Sequence, residues 1–383
     1  MPVSPASASR SRIGSIDALR GLVMLLMLVD HTREFFFIHA QVSDPMDVEA
    51  TAPSLFFTRL AAHLCAPVFV ALTGLAAWLY AAPRGGAGAA SGFLLKRGLF
   101  LVVLEWTAVN FAWTFDPTPP VIFLQVIWAI GLSMIALAGL VHLPRSALIA
   151  VGVIIVAGHN LLDPIAIAPG EPGHVIWSIL HDRGLIDLPW GGQARTSYPL
   201  LPWIGVMALG YAVGPWFARA VAPALRRQRL MATGSVMLLG FVLLRSINIY
   251  GEPLPWAAGD TALLTTMSFV NLTKYPPSLD LLLLTLGIGT WLLVALEAMR
   301  GRLPTALAVF GSAPLFFYIL HLYVLHALNR GVGMMLGRDG PVSVPSVGAI
   351  WLLAVMVALP CWFACRRFGA AKRASDAWWM RYL

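Results

Sequence analysis

Residues 16–33 read IDALRGLVMLLMLVDHTR, an apolar helix with ionisable groups at both ends: Asp17 and Arg20 at one, Asp30, His31 and Arg33 at the other. Charged side chains at membrane depth are costly, so each calls for a partner or a task. At about 1.5 Å of rise per residue, Arg20 and His31 stand roughly 16 Å apart along the axis. Eleven steps of about 100° return to within roughly 20° of the start, so Arg20, Met24, Met27 and His31 form one stripe. Such a stripe can line a path through the bilayer with a proton-handling group at its far end.

The rest of the chain agrees with a helix of that kind. Hydrophobic residues make up 58% and charged residues 11%, and the mean hydropathy is +0.77. These values define an all-α, polytopic integral membrane protein. Apolar runs long enough for a hydrocarbon core of about 30 Å fall at roughly 17–38, 56–80, 93–113, 120–141, 146–160, 199–218, 230–250, 279–298, 305–327 and 344–365. Ten helices put both termini on one side. The positive-inside rule makes that side cytoplasmic, because Arg10, Arg12, Arg84, Lys96, Arg97, Arg226, Arg227, Arg229, Arg300 and Arg302 then collect in the inner segments. Most acids, Asp339 among them, fall outside. The formal charge of +8 therefore reflects orientation, and no nucleic acid is expected as a partner. The first helix runs on into DHTREFFF with no small-residue cleavage site, so it is a retained anchor. The chain is expected to be a single transmembrane domain over 1–383, its segment 366–383 an interfacial tail anchored by Trp378, Trp379 and Tyr382 beside Arg381.

Cys65, Cys361 and Cys365 all fall inside predicted helices and make neither a disulfide framework nor a zinc site. Cys361 and Cys365 share a helix face, but no His accompanies them, and no metal is expected. The longer outer segments, about 39–55, 161–198 and 251–278, mark the face where a substrate is handled. Within them His174–Leu188 and Thr261–Leu272 are too short to span; they lid an outer cavity or rest on the headgroups.

Further polar groups lie inside the spans. Arg59 and His63 share a face with Pro67, Val70 and Gly74, which leaves room beside them; alternatively Arg59 snorkels and His63 bonds a backbone carbonyl. Glu105 sits mid-helix and is expected to pair with an Arg of another helix. His321 lies at mid-depth with Tyr318 on its face, and His326 nearer the outer interface. Tyr198, Lys274 and Tyr275 begin helices from the outer side, as site residues or as interfacial anchors. The turn PRGGAGAASG lacks the Gly-Lys-Ser/Thr ending of a phosphate loop and is a flexible connection beside Lys96 and Arg97.

The runs SIDALRGLVMLLMLVDHTREFF, HLCAPVFVALTG, SYPLLPWIGVMALGYAVG, LTKYPPSLDLLLLTLG and LFFYILHLYVLH resemble bacterial members of the heparan-α-glucosaminide N-acetyltransferase catalytic-domain family over nearly the whole chain. The most specific piece is the Asp-x-x-Arg-Gly of the first helix, here Asp17, Arg20 and Gly21. The resemblance implies a transmembrane acyltransferase of the bacterial inner membrane. It would take an acyl group, acetyl in the first instance, from cytosolic acetyl-CoA and deliver it to a sugar or glycan acceptor across the bilayer. In the lysosomal member an Asn stands at the position of His31, and the proposed catalytic His falls on Val42, near His39. His31, at a helix end beside Asp30, is preferred over His39 in its loop as the base. The resemblance then assigns His31, Asp30, His321 and His63 to catalysis. Asp17, Arg20, Lys96 and Arg97 go to coenzyme A, and Arg59, Arg33, His39, Tyr198 and Lys274 to the acceptor. The pantetheine arm, with a reach on the order of 15–20 Å, would follow the Met24–Met27 stripe, whose length is comparable. The expected partners are the lipid bilayer and the glycan acceptor, and a homo-oligomer is compatible with the sequence. The rival reading is a proton-coupled transporter of a small solute, for which the same intramembrane groups would carry protons or bind charge; the absence of a visible internal repeat weighs against it.

Overall fold

A computed structural model of the chain describes residues 14–338 and 340–375, with Ala377 and Met380. Expectations that rest on Arg10, Arg12, Asp339, Trp378, Trp379, Arg381 and Tyr382 lie outside the described residues. In chain order the helices are α1 (Gly14–Phe36), α2 (Pro53–Ala62), α3 (Cys65–Ala81), α4 (Ala87–Leu104), α5 (Asn110–Thr114), α6 (Val126–Leu140), α7 (Arg145–Gly158), α8 (His174–Leu180), α9 (Leu201–Ala212), α10 (Pro223–Ile247), α11 (Ala262–Val270), α12 (Leu279–Ala298), α13 (Arg302–Gly311), α14 (Pro314–Met335) and α15 (Val347–Ala374). Three short strands, β1 (Val121–Leu124), β2 (Leu185–Asp187) and β3 (Gln193–Thr196), form one sheet in the order β1-β3-β2. β3 runs parallel to β1 and antiparallel to β2.

Among the described residues seven helical segments are long and apolar enough to cross a membrane: Pro53–Arg84, Ala87–Thr114, Arg145–Leu162, Pro223–Ile247, Leu279–Ala298, Pro314–Met335 and Val347–Ala374. Val126–Leu140 and Leu201–Phe217 are apolar but shorter, and α1 carries the charges that open the sequence. Two expected boundaries differ. The run 120–141 starts as β1, because VIFL is rich in β-branched and aromatic residues and pairs in register with β3. The run 305–327 is two helices, α13 ending at Gly311 and α14 starting at Pro314. Proline favours a first helical turn and disfavours helix in the residue before it, which here is Ala313. Elsewhere the starts follow ordinary capping chemistry. Thr261, Ser278 and Ser346 each accept a hydrogen bond from a backbone N–H of the first turn they precede.

Apolar side chains gain little from leaving lipid for one another, so close backbone approach has to hold such helices together. Glycine supplies it in five helix pairs. A Cβ built on Gly21 of α1 would lie 1.9 Å from the Leu307 carbonyl oxygen of α13, and one on Gly311 would lie 1.8 Å from that of Asp17. The same reciprocal contact recurs at Gly74 and Gly210 between α3 and α9, at Gly98 and Gly131 between α4 and α6, at Gly152 and Gly205 between α7 and α9, and at Gly234 and Gly287 between α10 and α12. These are the most closely packed helix pairs of the fold. The α1–α13 pair sets the height of His31, and the α3–α9 and α4–α6 pairs build the walls beside it.

Candidate functional site

The last two turns of α1 carry Asp30, His31 and Arg33 into a ring formed with α2, α14 and the segment just before α12. Asp30 is the hub. Its Oδ1 accepts from Arg33 Nε at 3.1 Å, and its Oδ2 accepts from Arg59 Nη1. Arg33 also donates to Gln41 Oε1 at 3.0 Å and to Glu34. Asp30, Arg33 and Arg59 are all buried. A buried charge needs its counter-charge and its hydrogen bonds to persist. Asp30 thus serves the two arginines, and no hydrogen bond joins it to His31 among the described residues.

His31 is held by another histidine. Its Nδ1 lies 2.7 Å from His321 Nε2, the two rings stack at 5.0 Å, and His321 Nδ1 lies 2.7 Å from the Phe317 carbonyl oxygen. The carbonyl can only accept, so His321 carries its proton on Nδ1 and, being neutral, offers a lone pair at Nε2. His31 must then donate from Nδ1, and its Nε2 is left as the lone pair. The tautomers follow from the bonding pattern. The Trp113 ring meets His31 edge-on at 5.1 Å and stacks on Phe35 at 5.1 Å. Trp113 went unnoticed in the sequence, where no spacing links it to α1.

His31 opens on a cavity of ≈ 120 Å³. At its level the walls also carry Asp30, Tyr198, Lys274 and Tyr318. Farther along come Met27, Phe69, Leu101, Ile130 and Leu315, and then Thr73, Met134 and Arg97. Thr73 follows Cys65 and Met134 follows Val126 by eight helical residues each, so the two levels are about 12 Å apart. The cavity is a corridor between polar groups, apolar in its middle. Tyr198 accepts a hydrogen bond from Tyr275 at 3.0 Å. Lys274 is buried, with its ammonium 5.3 Å from the centre of the Tyr275 ring. The Tyr318 hydroxyl is buried with the Trp113 indole N–H beside it. The loop at 41–48 closes the histidine end of the corridor. Asn271 exchanges hydrogen bonds with the Met46 backbone, and Lys274 N donates to Asp44 Oδ1 at 3.3 Å. Burial raises the Asp44 carboxyl above its ordinary range.

The remaining expected site residues lie elsewhere. Arg20 donates to Asp17 Oδ1 and to the Leu72 carbonyl oxygen of α3, both at 3.2 Å. With Gly21 against α13, the Asp-x-x-Arg-Gly motif joins three helices and does not line the cavity. Met24 is packed inside the protein, so the corridor runs between α1, α3, α4 and α6 and not down the whole predicted stripe. Lys96 is exposed, while its neighbour Arg97 reaches the cavity wall. His39 is exposed, tilted against the Phe37 ring at 4.3 Å and 2.6 Å from Ser343 Oγ. His63 is buried where α2 gives way to α3; neither ring nitrogen has a hydrogen-bond partner among the described residues, and it does not line the cavity.

Two further expectations resolve into packing. Glu105 pairs with no Arg: its carboxylate accepts from the backbone N–H of Trp128 at 3.0 Å and of Gln125 at 3.4 Å. An anion at the start of α6 is favourable there because the first turn of a helix leaves its N–H groups unpaired and directed outward. His326 sits 2.9 Å from the Ala112 carbonyl oxygen and stacks on Phe115 at 3.8 Å.

This helical membrane protein encloses a histidine pair at one end of an apolar corridor and an arginine at the other. The chain belongs to the heparan-alpha-glucosaminide N-acetyltransferase, catalytic, family, whose pattern matches residues 12–255. That places it in an acetyltransferase family. No curated protein matches the chain. The family match ends before Lys274, Tyr318 and His321, so these groups of the site come from the part of the chain beyond it.

Proposed function

We propose that the protein moves an acetyl group from cytosolic acetyl-CoA to an amine or hydroxyl of a sugar or glycan on the outer side of a bacterial inner membrane. The observation that carries this is the corridor from Arg97 to the His31–His321 pair. Arg97, with Lys96 nearby, would meet coenzyme A phosphates at the cytoplasmic mouth, and the pantetheine arm would fill the apolar stretch. The thioester would then lie beside His31. His31 Nε2 takes the acceptor's proton as the acceptor nitrogen or oxygen bonds to the acetyl carbon. The oxygen of the tetrahedral intermediate finds the Lys274 ammonium and the Tyr198 and Tyr318 hydroxyls as donors. The C–S bond breaks, and the proton held on His31 passes to the departing thiolate. This arrangement accords with ten crossings, formed by α1, the seven long spans and the two shorter apolar helices, and with cytoplasmic termini.

The test is coenzyme A release from acetyl-CoA by the purified chain in nanodiscs, offered a panel of amino and hydroxy sugars. We expect acceptor-dependent release that falls by about 10²–10⁴ in His31→Ala. Acetyl-CoA that neither binds nor turns over with any acceptor would overturn the proposal in favour of proton-coupled transport.

A further inference from the structure

On the outer side, past the end of α7, a second cluster of ligating groups sits apart from the corridor. His159 and Asp163 follow α7, and His181 follows α8. One ligand atom from each lies within 4.8 Å of the other two. His181 Nε2 is 3.0 Å from Asp163 Oδ1, and Asn160 Nδ2 donates to Asp163 Oδ2 at 2.8 Å. His159 is 2% exposed and His181 3%. Among the described residues neither nitrogen of His159 has a well-formed hydrogen bond, the Pro277 carbonyl beside it being poorly aligned, and Nδ1 of His181 has none. Buried imidazole nitrogens without partners are rare, because the lost hydration goes uncompensated.

We propose that His159, Asp163 and His181 bind a divalent transition-metal ion of the zinc class. Two imidazoles and a carboxylate are a donor set that zinc accepts, with a fourth position left for water. Bonds of about 2.1 Å in a tetrahedron separate ligands by roughly 3.4 Å. The Asp163–His181 pair is already near that spacing, so the main adjustment falls on the His159 ring. His181 binds through Nε2 once its proton has moved to Nδ1, which is open to take it. Asn160 supplies the supporting hydrogen bond to the second carboxylate oxygen, and its own Oδ1 accepts from Leu279 N at 2.9 Å, fixing it to α12. The ion would clamp α8 to the end of α7. The Ile179 carbonyl of α8 holds Leu200 N at 2.9 Å, just beyond Tyr198 in the cavity wall, so the clamp steadies the outer rim of the corridor. No spacing motif announces the set, because its two histidines come from separate outer segments. The sequence expectation of no metal rested on the cysteines alone.

The full chain in nanodiscs, stripped with a chelator, is titrated with Co²⁺ and followed by visible absorption. We expect tetrahedral Co²⁺ bands that saturate near one equivalent and are displaced by Zn²⁺. Binding weakens at least tenfold in His159→Ala and in Asp163→Asn, and is unchanged in the Cys361→Ser, Cys365→Ser double variant. His181→Cys keeps a ligand and so tests the site where an alanine variant fails to fold; it adds a thiolate-to-cobalt band. Absence of Co²⁺ binding to the parent chain, binding that survives His159→Ala and Asp163→Asn, or Co²⁺ bound by His181→Cys without the thiolate band would each overturn the proposal.

Discussion

At the scale of single residues, the site depends on which partner each ionisable group has found. In the proposed mechanism His321 acts through His31 and is a positioning residue. His321→Leu should lower kcat for acetyl transfer by about 10–100-fold with little change in KM for acetyl-CoA. His321→Gln, whose side-chain oxygen can still accept from His31 Nδ1, should recover part of that loss. Equal kcat values for the Leu and Gln variants, or a loss confined to KM, would remove His321 from this role. His31 was legible in the sequence because a histidine at the end of an apolar helix is unusual there. Its partner was legible only as a second intramembrane histidine, and the bond between them was not. Asp30 shows the opposite case. Its adjacency to His31 suggested a pair, but neighbours on a helix point about 100° apart, and the carboxylate faces Arg33 and Arg59 instead.

At the scale of elements, the glycine contacts carry the packing. Gly311→Ala places a methyl group against the backbone carbonyl of Asp17, and neither chain can yield without parting α1 from α13. It should cost at least about 1–3 kcal/mol, the usual penalty of overpacking. Gly139→Ala, on α6 with nothing within 4 Å of the added carbon, should be neutral or slightly stabilising. Thermal unfolding of both variants in one detergent checks the contrast; equal Tm values would show that the α1–α13 contact is not tight. The glycines are visible in the sequence, but their pairing is tertiary information, since Gly21 and Gly311 come from opposite ends of the chain. Glu105 is a similar case. A lone carboxylate in a span suggested an arginine, and the structure supplies a helix start, whose N–H groups no composition rule can see. The break between α13 and α14 was legible at Pro314 but was masked by the continuous apolar character of the run.

At the scale of the molecule, composition was enough to establish a helical membrane protein, while ten crossings are proposed from the lengths of the apolar runs and their sense from charge counting. All three cysteines are buried, so a new exposed cysteine can report sidedness against a quiet background. Gly88→Cys, exposed in the first turn of α4, should react with a membrane-impermeant maleimide only after the cytoplasmic face is opened. Asp260→Cys, between α10 and α11, should react in intact cells. The reverse pattern would invert the orientation and place Arg97 outside. The α1–α13 contact and the His31–His321 bond also have a consequence for biosynthesis. At about 5–20 residues per second, roughly 15–60 s pass between the emergence of Gly21 and that of Gly311. Throughout that interval the first helix lies in or at the membrane, its Asp30 and Arg33 already joined, while α13 and α14 are not yet made. The newborn chain therefore waits with its first helix unseated, and His31 acquires its partner only when the last third of the protein arrives.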